Sequence, residues 1–584
     1  MPYLKLMCAT LLVAPAGARC AVSIAPAYVQ MQPGQTMQFS AGGGHVIWQV
    51  NNATGGGTGG SVTSGGLFTA PASLPSPAAV TVTAVSATDP TENATATVTL
   101  LAQPASGTTY YVAQGGSDTN PGTLAEPFAT LQHAANIAVA GDTVLARQGV
   151  YNALLTPPNS GNLTQGPITF ASYPGELATI DGTGLPIPGG QNGLITLNNA
   201  SYVIIEGFEL RNYTTAKISQ VPLGIYIEGA GSGVQIVNNH IHNITTTART
   251  SPKKCGSDAF GMTVYGTKAP ASISGLVISG NELDHMQTGC SETLSVDGNV
   301  DGFEIVSNLV HDNDNIGMDA IGFEKVSPDP AYDQARNGEI RGNLVYNITS
   351  YGNPDYGKQY AADGIYVDGG TQIVIEQNVV HNADLAIELA SEHKGHVTNY
   401  ITARNNVVYE NNANGISIGG YGAARGGTDH CTIVNNTLFD DDTKKTGSGE
   451  FQIQFYATNN VFENNIVYAG AQGLYVHNFT TTEADPAALE YNLYYGTSTA
   501  VAFQWDKVHY KSFAAYRAAT GEDAHSSFAD PLFVSTTLPD LDVQPGSPAL
   551  GAGTDLGTAV VGTVDVVGNP RVVNGTISIG AYEQ

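Results

Sequence analysis

Carboxylates recur on four short segments between Glu292 and Lys394 in a pattern that could carry acid–base chemistry. The segments read ETLSVDG (292–298), DAIGFEK (319–325), DGIYVDG (363–369) and LAIELAS (385–391). Superposed, they align Leu294, Ile321, Ile365 and Ile387 in one apolar column and Val296, Phe323, Val367 and Leu389 in the next. Strand side chains alternate between faces, so both columns are expected to point inward. The outward face would then carry Asp297, Glu324 and Asp368 in one column, and Ser295, Gly322, Tyr366 and Glu388 in another. Glu292, Asp319 and Asp363 would stand at the strand entries. Acids on neighbouring strands repel one another, and crowding pushes some of them toward the protonated form. One protonated carboxyl and one carboxylate, held a fixed distance apart, are what glycosidic cleavage requires.

The remaining composition narrows the choices. Asp and Glu outnumber Lys and Arg 50 to 22, for a formal net charge of −28. Nothing here would neutralise a phosphate backbone, so a nucleic-acid partner is not expected. Binding to an anionic membrane surface is disfavoured for the same reason. The 69 glycines, with abundant Asn, Thr and Val and few helical patterns, point to an all-β chain of many short strands. There is no CxxC, no metal-type Cys/His spacing, no G-x-S-x-G elbow and no phosphate-cradling loop.

The chain opens with one Lys, a short apolar run and small residues at Ala16–Ala18, which reads as a signal peptide over residues 1–21. The run is too short to span a bilayer, so a secreted, extracellular or periplasmic protein is expected. Residues 22–103 alternate with period two around turn residues and include Trp48, the pattern of a small β-sandwich. Residues 104–108 (PASGT) read as a linker, and 109–584 as the second domain. Of the five cysteines, Cys255 and Cys290 both lie in loops before acidic strands and could pair in an oxidising compartment.

From about residue 168 a repeat appears: an alternating strand, an Asn, two apolar residues, then a His or Tyr. It recurs at Asn239, Asn281, Asn308, Asn343, Asn378, Asn406, Asn436 and Asn465, at intervals from 27 to 42 residues. Such a unit cannot bury its apolar face alone, so neighbours must stack. The Asn side chain can bond an identical Asn one coil away. His242, His285, His311 and His381 fall at or near one place in the repeat and are expected to stack inside the coil. The longest intervals place loops at 245–261, 325–337 and 348–363, beside the acidic strands.

Three stretches carry a family resemblance. The segment YYVAQGGSDTNPGTLAEPFATLQHAANIAVAGDTVLARQGVY, from Tyr110, resembles the opening of secreted right-handed parallel β-helix proteins that act on polysaccharides. The end, from ADPLFV to IGAYEQ, resembles the closing segment of the same family, and residues 22–103 resemble bacterial immunoglobulin-like modules. The resemblance implies an all-β fold, a right-handed parallel β-helix behind an Ig-like β-sandwich, with a helix capping the first coil. It also implies a polysaccharide or oligosaccharide partner, and a monomer or small homo-oligomer. It does not fix the reaction, because hydrolases and lyases share the architecture.

Three functions therefore stay open. The first is a glycoside hydrolase that draws its acid and its base or nucleophile from Asp297, Asp319, Glu324, Asp363 and Asp368 and needs no cofactor. Coils lie roughly 4.8 Å apart, so neighbouring acids suit a retaining pair and alternate acids an inverting one. Tyr366, Glu388, His393, Lys394, Tyr421 and Arg425 would line the adjoining subsites. The second is a polysaccharide lyase assisted by Ca²⁺. DNDNIGMD resembles the calcium-binding segment of β-helix pectate lyases, which implies an ion at Asp312, Asp314 and Asp319. The coil after it lacks that family's strand lysine, so Lys325, Lys394 or Arg425 would have to serve as base. The third is a glycan-binding solenoid without catalysis.

Overall fold

The computed structural model describes residues 23–100 apart from 26–27, 32–33, 35, 43–45, 52, 55, 58, 72–78 and 87–92. It describes 107–584 apart from 250–254, 479, 481–482, 484 and 538. The expected signal peptide and most of the expected linker lie outside these residues. The chain divides into two compact units, Met1–Gln103 and Pro104–Gln584.

In the first unit, Ala79–Ser86 pairs antiparallel with both Asn93–Leu100 and Val46–Val50. Thr36–Gln38 and Leu67–Thr69 belong to a second sheet. Alternation sends Val50, Phe68, Val80, Val82, Ala96 and Val98 into a common core. Trp48 joins that core at 6% exposure, so it offers no platform for a sugar ring.

The second unit is a right-handed β-helix whose coils build three long sheets of 17, 13 and 12 strands, parallel except for the last pairing of the third, Ala502–Trp505 with Val508–Tyr510. One coil runs through Leu294–Gly298 in the third sheet, Val300–Val306 in the first and Leu309–Asn313 in the second. The next coil then begins at Met318–Ile321. Residues such as Leu294, Val296, Ile305, Val310 and Met318 face one another inside and are fully buried. The helix Leu131–Ile137 closes the N-terminal end; Thr130 caps it, and Leu131, Ala134 and Ala135 pack onto the first coils. The helix Phe513–Thr520 closes the other end, with Tyr516 stacked on Phe503 at 4.7 Å.

The repeated asparagines form one continuous ladder between the first and second sheets. Asn281 Nδ2 donates to Asn308 Oδ1 at 3.0 Å, Asn308 to Asn343 at 3.0 Å and Asn343 to Asn378 at 2.9 Å. The ladder runs from Asn239 through Asn492. Each Oδ1 also accepts the main-chain N–H of the preceding rung, as Asn378 does from Asn343 at 2.9 Å. Buried turn amides with no strand partner are thereby satisfied. The residue before each Asn is left-handed, as at Gly342 (φ +62°) and Asn405 (φ +54°), which favours Gly or Asn there.

The aromatic column departs from expectation. His311, Tyr346, His381 and Tyr409 stack face to face at 4.7 to 5.1 Å, but on the outer face of the second sheet. The inner positions belong to the preceding apolar residue of each strand: Val310, Val345, Val380 and Val408. Side chains alternate, so a residue following an inward Val must face out. Toward the C-terminus this column is covered by the chain's own end. Residues 529–584 turn back along the sheet and bury Phe439, Tyr468 and Leu493 under Phe533, Leu541, Val543 and Ile579. Asn405 Nδ2 donates to Val561 O at 2.9 Å and pins this return.

Candidate active site

The strand pairings of the third sheet fix which acids meet. Leu294 pairs with Met318, Ser295 with Asp319 and Asp297 with Ile321. Met318 in turn pairs with Ile365, and Asp319 with Tyr366. The strand at 318–321 is therefore shifted three residues from the expected alignment, and an odd shift exchanges the two faces. Met318 and Ala320, not Ile321 and Phe323, point inward. Asp319 stands in the outward column of Ser295, Tyr366 and Glu388 rather than at the strand entry.

Glu324 consequently leaves the column in which it was expected. The strand ends at Ile321, and Phe323 and Lys325 take left-handed conformations (φ +71° and +67°). Glu324 rides on the loop between them. Asp333 secures that loop by accepting the N–H of Ser327 at 2.7 Å and that of Lys325 at 2.6 Å. The Glu324 side chain is half exposed and still reaches the site, with its Oε1 3.3 Å from His393 Nε2.

Asp297, Asp319, Asp368, Glu292, Glu324 and Glu392 converge on one cavity of about 560 Å³, which Tyr356 and Tyr366 also line. The Cys255–Cys290 disulfide, with Cα atoms 5.4 Å apart, forms part of its wall. Among the described residues, no Lys or Arg lines it. Asp368 Oδ1 accepts the N–H of Glu392 at 2.7 Å, and the N–H of Asp368 donates to Asp319 Oδ1 at 3.3 Å. Asp297 Oδ1 is buried with no partner.

These acids cannot all ionise together. Burial, then the charge of Glu324, pushes Asp297 up to about 8. Burial and the nearby Asp297 push Glu292 up to about 8. Asp319 is raised well above the carboxylate range by burial and then by Glu292, Asp368 and Asp363; Asp368 is raised by burial and then by Glu392. Burial and mutual repulsion therefore favour proton retention by these four carboxyls at neutral pH.

Other expected residues are placed differently. Asp363 and Glu388 do not line the cavity; Glu388 accepts from Ser417 Oγ at 3.1 Å and from Gln454, on later coils. His393 lies at the rim. Tyr421 Oη donates to Glu392 Oε2 at 3.2 Å, and Arg425 stacks over the Tyr421 ring at 4.6 Å while its Nη1 lies 3.4 Å from Glu392 Oε2. Both therefore act on the cavity through Glu392. Lys394 is exposed and does not line it.

The expected calcium ligands do not come together. Asp312 and Asp314 line a separate groove of about 820 Å³ with His285 and Asn347, while Asp319 lies in the acidic cavity. Asp312 is left-handed (φ +54°) at the end of the second sheet and bonds His311 Nδ1 at 2.7 Å; Asp314 accepts the N–H of Thr288 at 2.8 Å. Asp312 and Asp319 belong to successive sheets on either side of the turn at 314–317, so they reach different hollows. At the cavity rim, Glu324, Asp368 and His393 hold ligand atoms within 4.8 Å of one another and could take a cation.

Asp258, Tyr265, Tyr356 and Glu392 went unrecognised in the sequence. Asp258 and Tyr356 lie in long loops outside the repeat, and Glu392 lies just past a strand end. Tyr265 was findable, because it pairs with Asp297 from the preceding strand.

Comparison with known proteins agrees with this architecture. A model of the Pel9A-like right-handed β-helix region matches residues 110–259, and a model of the right-handed β-helix region matches 359–503. The protein YwoF of Bacillus subtilis is 38% identical over 447 residues, covering 76% of this chain and 92% of YwoF. Pectate lyase PEL9 of Emericella nidulans is 30% identical over 150 residues, 23% of this chain and 32% of that enzyme. Among solved structures, the complex of XylC with xylose has a TM-score of 0.48 at 13% identity and covers 81% of this chain and 98% of its own. The GH136 lacto-N-biosidase from Eubacterium ramulus has a TM-score of 0.47 at 13% identity, covering 67% of each chain. The chain belongs to the family of right-handed β-helix proteins that includes YwoF.

Proposed function

We propose that this protein is a secreted glycoside hydrolase that cleaves a neutral oligosaccharide or polysaccharide. The observation that carries the reading is the cavity itself: acids from four consecutive coils, Asp297, Asp319, Asp368 and Glu392, meet in it, and no Lys or Arg among the described residues lines it. Asp297 and Asp368 form the working pair, with Asp319 between them. They lie on strands separated by one intervening strand, roughly 10 Å apart along the stack, which suits the wider carboxyl separation of an inverting enzyme. Asp297 is the acid. Its raised pKa keeps it protonated at neutral pH, and its unpartnered Oδ1 is available to the glycosidic oxygen. Asp368 is the base by position: its Oδ1 accepts the N–H of Glu392, which fixes its direction and offsets part of the rise that burial and the Glu392 charge impose. As the C–O bond breaks, the Asp297 proton passes to the leaving oxygen. Asp368 takes a proton from the water that attacks the anomeric carbon.

A sugar carboxylate would bring a further negative charge into a site already too crowded to ionise, so neutral sugars are favoured. A lyase would need a base such as Lys or Arg, and Lys394 and Arg425 stand off the cavity. The disulfide supports export to an oxidising compartment. Incubation with neutral and uronic polysaccharides, followed by reducing-sugar assay and by absorbance near 235 nm, tests the reading. New reducing ends without absorbance support it. Absorbance that rises on a polyuronate and is lost with EDTA overturns it.

A further inference from the structure

A second group of chemically capable residues lies far from the acids, on the outer face of the second sheet. His240 and His242 are two apart on one strand, so both point outward, and their rings stack at 4.4 Å. Glu209, on the strand before, pairs with His240; Glu282 and Asp284, on the strand after, pair with His240 and His242. Four outward carboxylate and imidazole groups thus surround His240. One ligand atom from each of Glu209, His240 and His242 lies within 4.8 Å of the others, and the same holds for His240, Glu282 and Asp284. Further along, the same column turns into the ordinary stack of His311, Tyr346 and His381, so this patch is a local departure from the repeat.

We propose that Glu209, His240 and His242 form a zinc site. Two imidazoles and one carboxylate are a zinc ligand set that leaves a position for water, and two histidines in an alternating strand present their nitrogens on one side. Ligand atoms around tetrahedral zinc stand roughly 3.3 Å apart, within reach of small side-chain rotations from the observed spacing. His242 Nε2 is already 3.1 Å from Glu209 Oε1. Asp284 holds the His240 ring through a 2.6 Å contact with Nε2, as carboxylates orient metal-bound histidines. The side chains are 12% to 39% exposed, so an ion can enter from solvent. Arg211, 3.0 Å from Glu209 Oε1, is the one cation in direct contact among the described residues, and it also pairs with Asp181 at 2.9 Å. Asp181 can retain it when zinc takes the Glu209 oxygen.

The test is titration of the full chain with Zn²⁺ alone, followed by calorimetry and by metal analysis after dialysis, at neutral pH. Wild type is expected to retain one equivalent. His240→Ala and Glu209→Gln are each expected to lose it, while hydrolysis stays unchanged because the patch is remote from the acidic cavity. Glu209→Gln keeps the side chain's shape and one acceptor oxygen and serves if His240→Ala fails to fold. No retained zinc in wild type overturns the proposal and leaves the patch a ladder of ion pairs. Zinc that survives both substitutions but is lost in Glu324→Gln also overturns it, because the ion would then sit in the cavity with Asp368 and His393.

Discussion

The main-chain N–H of Asp368 donates to Asp319 Oδ1 at 3.3 Å, so the backbone of one coil holds the carboxyl of the coil before it. This contact survives an Asp→Asn exchange at position 368, because a main-chain group makes it. Asp368→Asn should therefore leave the fold intact while lowering kcat/KM by about 10²–10⁴-fold, the usual loss on removing a general acid or base. Asp297→Asn should do likewise. Asp319→Asn, which removes a titratable proton from the intervening strand, should cost less and shift the pH profile. Steady-state kinetics of the three variants checks the ranking.

Stability should fall as pH rises. A carboxyl whose folded pKa exceeds its unfolded one binds its proton more tightly in the fold. Its favourable contribution is complete below about pH 4 and is lost as pH rises toward the folded value. Asp297 and Glu292, both raised to about 8, set the window from about pH 4 to 8. Thermal unfolding should show Tm declining across it, and Asp297→Asn should flatten the slope and raise Tm at pH 8.

The asparagine ladder should be expensive to interrupt. Asn343→Ala leaves the amide N–H and Nδ2 of Asn308 without their acceptor, and Ile305 O without a donor. Each orphaned buried group costs about 1–3 kcal/mol. Denaturant unfolding should show a loss of that order or more. Asn347→Ala, an exposed change within the strand that follows, should cost far less.

Reduction should act on the cavity more than on the core. Cys255–Cys290 ties the long loop of residues 245–261 to the wall beside Glu292. Cys290→Ser should lower stability by about 2–4 kcal/mol at most and raise KM, since the disulfide lines the cavity proposed to take the sugar. Thiol titration of unfolded, unreduced protein should find Cys255 and Cys290 unreactive.

Much of this architecture was legible in particular residues. The Asn-apolar-apolar-aromatic unit announced the stacked coils, because a buried turn Asn has few other uses. The pairing of Cys255 with Cys290 was one option that the sequence offered, since both lie in loops before acidic strands, and the structure joins them. Two features misled for physical reasons. Between Gly317 and Lys325, MDAI and AIGF each offer an alternating apolar pair, and only the left-handed turns at Phe323 and Lys325 decide between them. The histidine and tyrosine column looks internal because aromatics are usually buried. Here ring stacking, and later the returning C-terminal segment, shields them outside the sheet. Asp258 and Glu392 carry no pattern at all, since loops are placed by the coils they connect.

Cleavage in water enriched in heavy oxygen, with products read by mass spectrometry, tests the central claim most directly. If Asp368 activates water against the anomeric carbon, each new reducing end gained by wild type carries one heavy oxygen, and Asp368→Asn yields almost none. Products lighter by one water, unlabelled and unsaturated, would contradict the account and make the acidic cavity the site of an elimination.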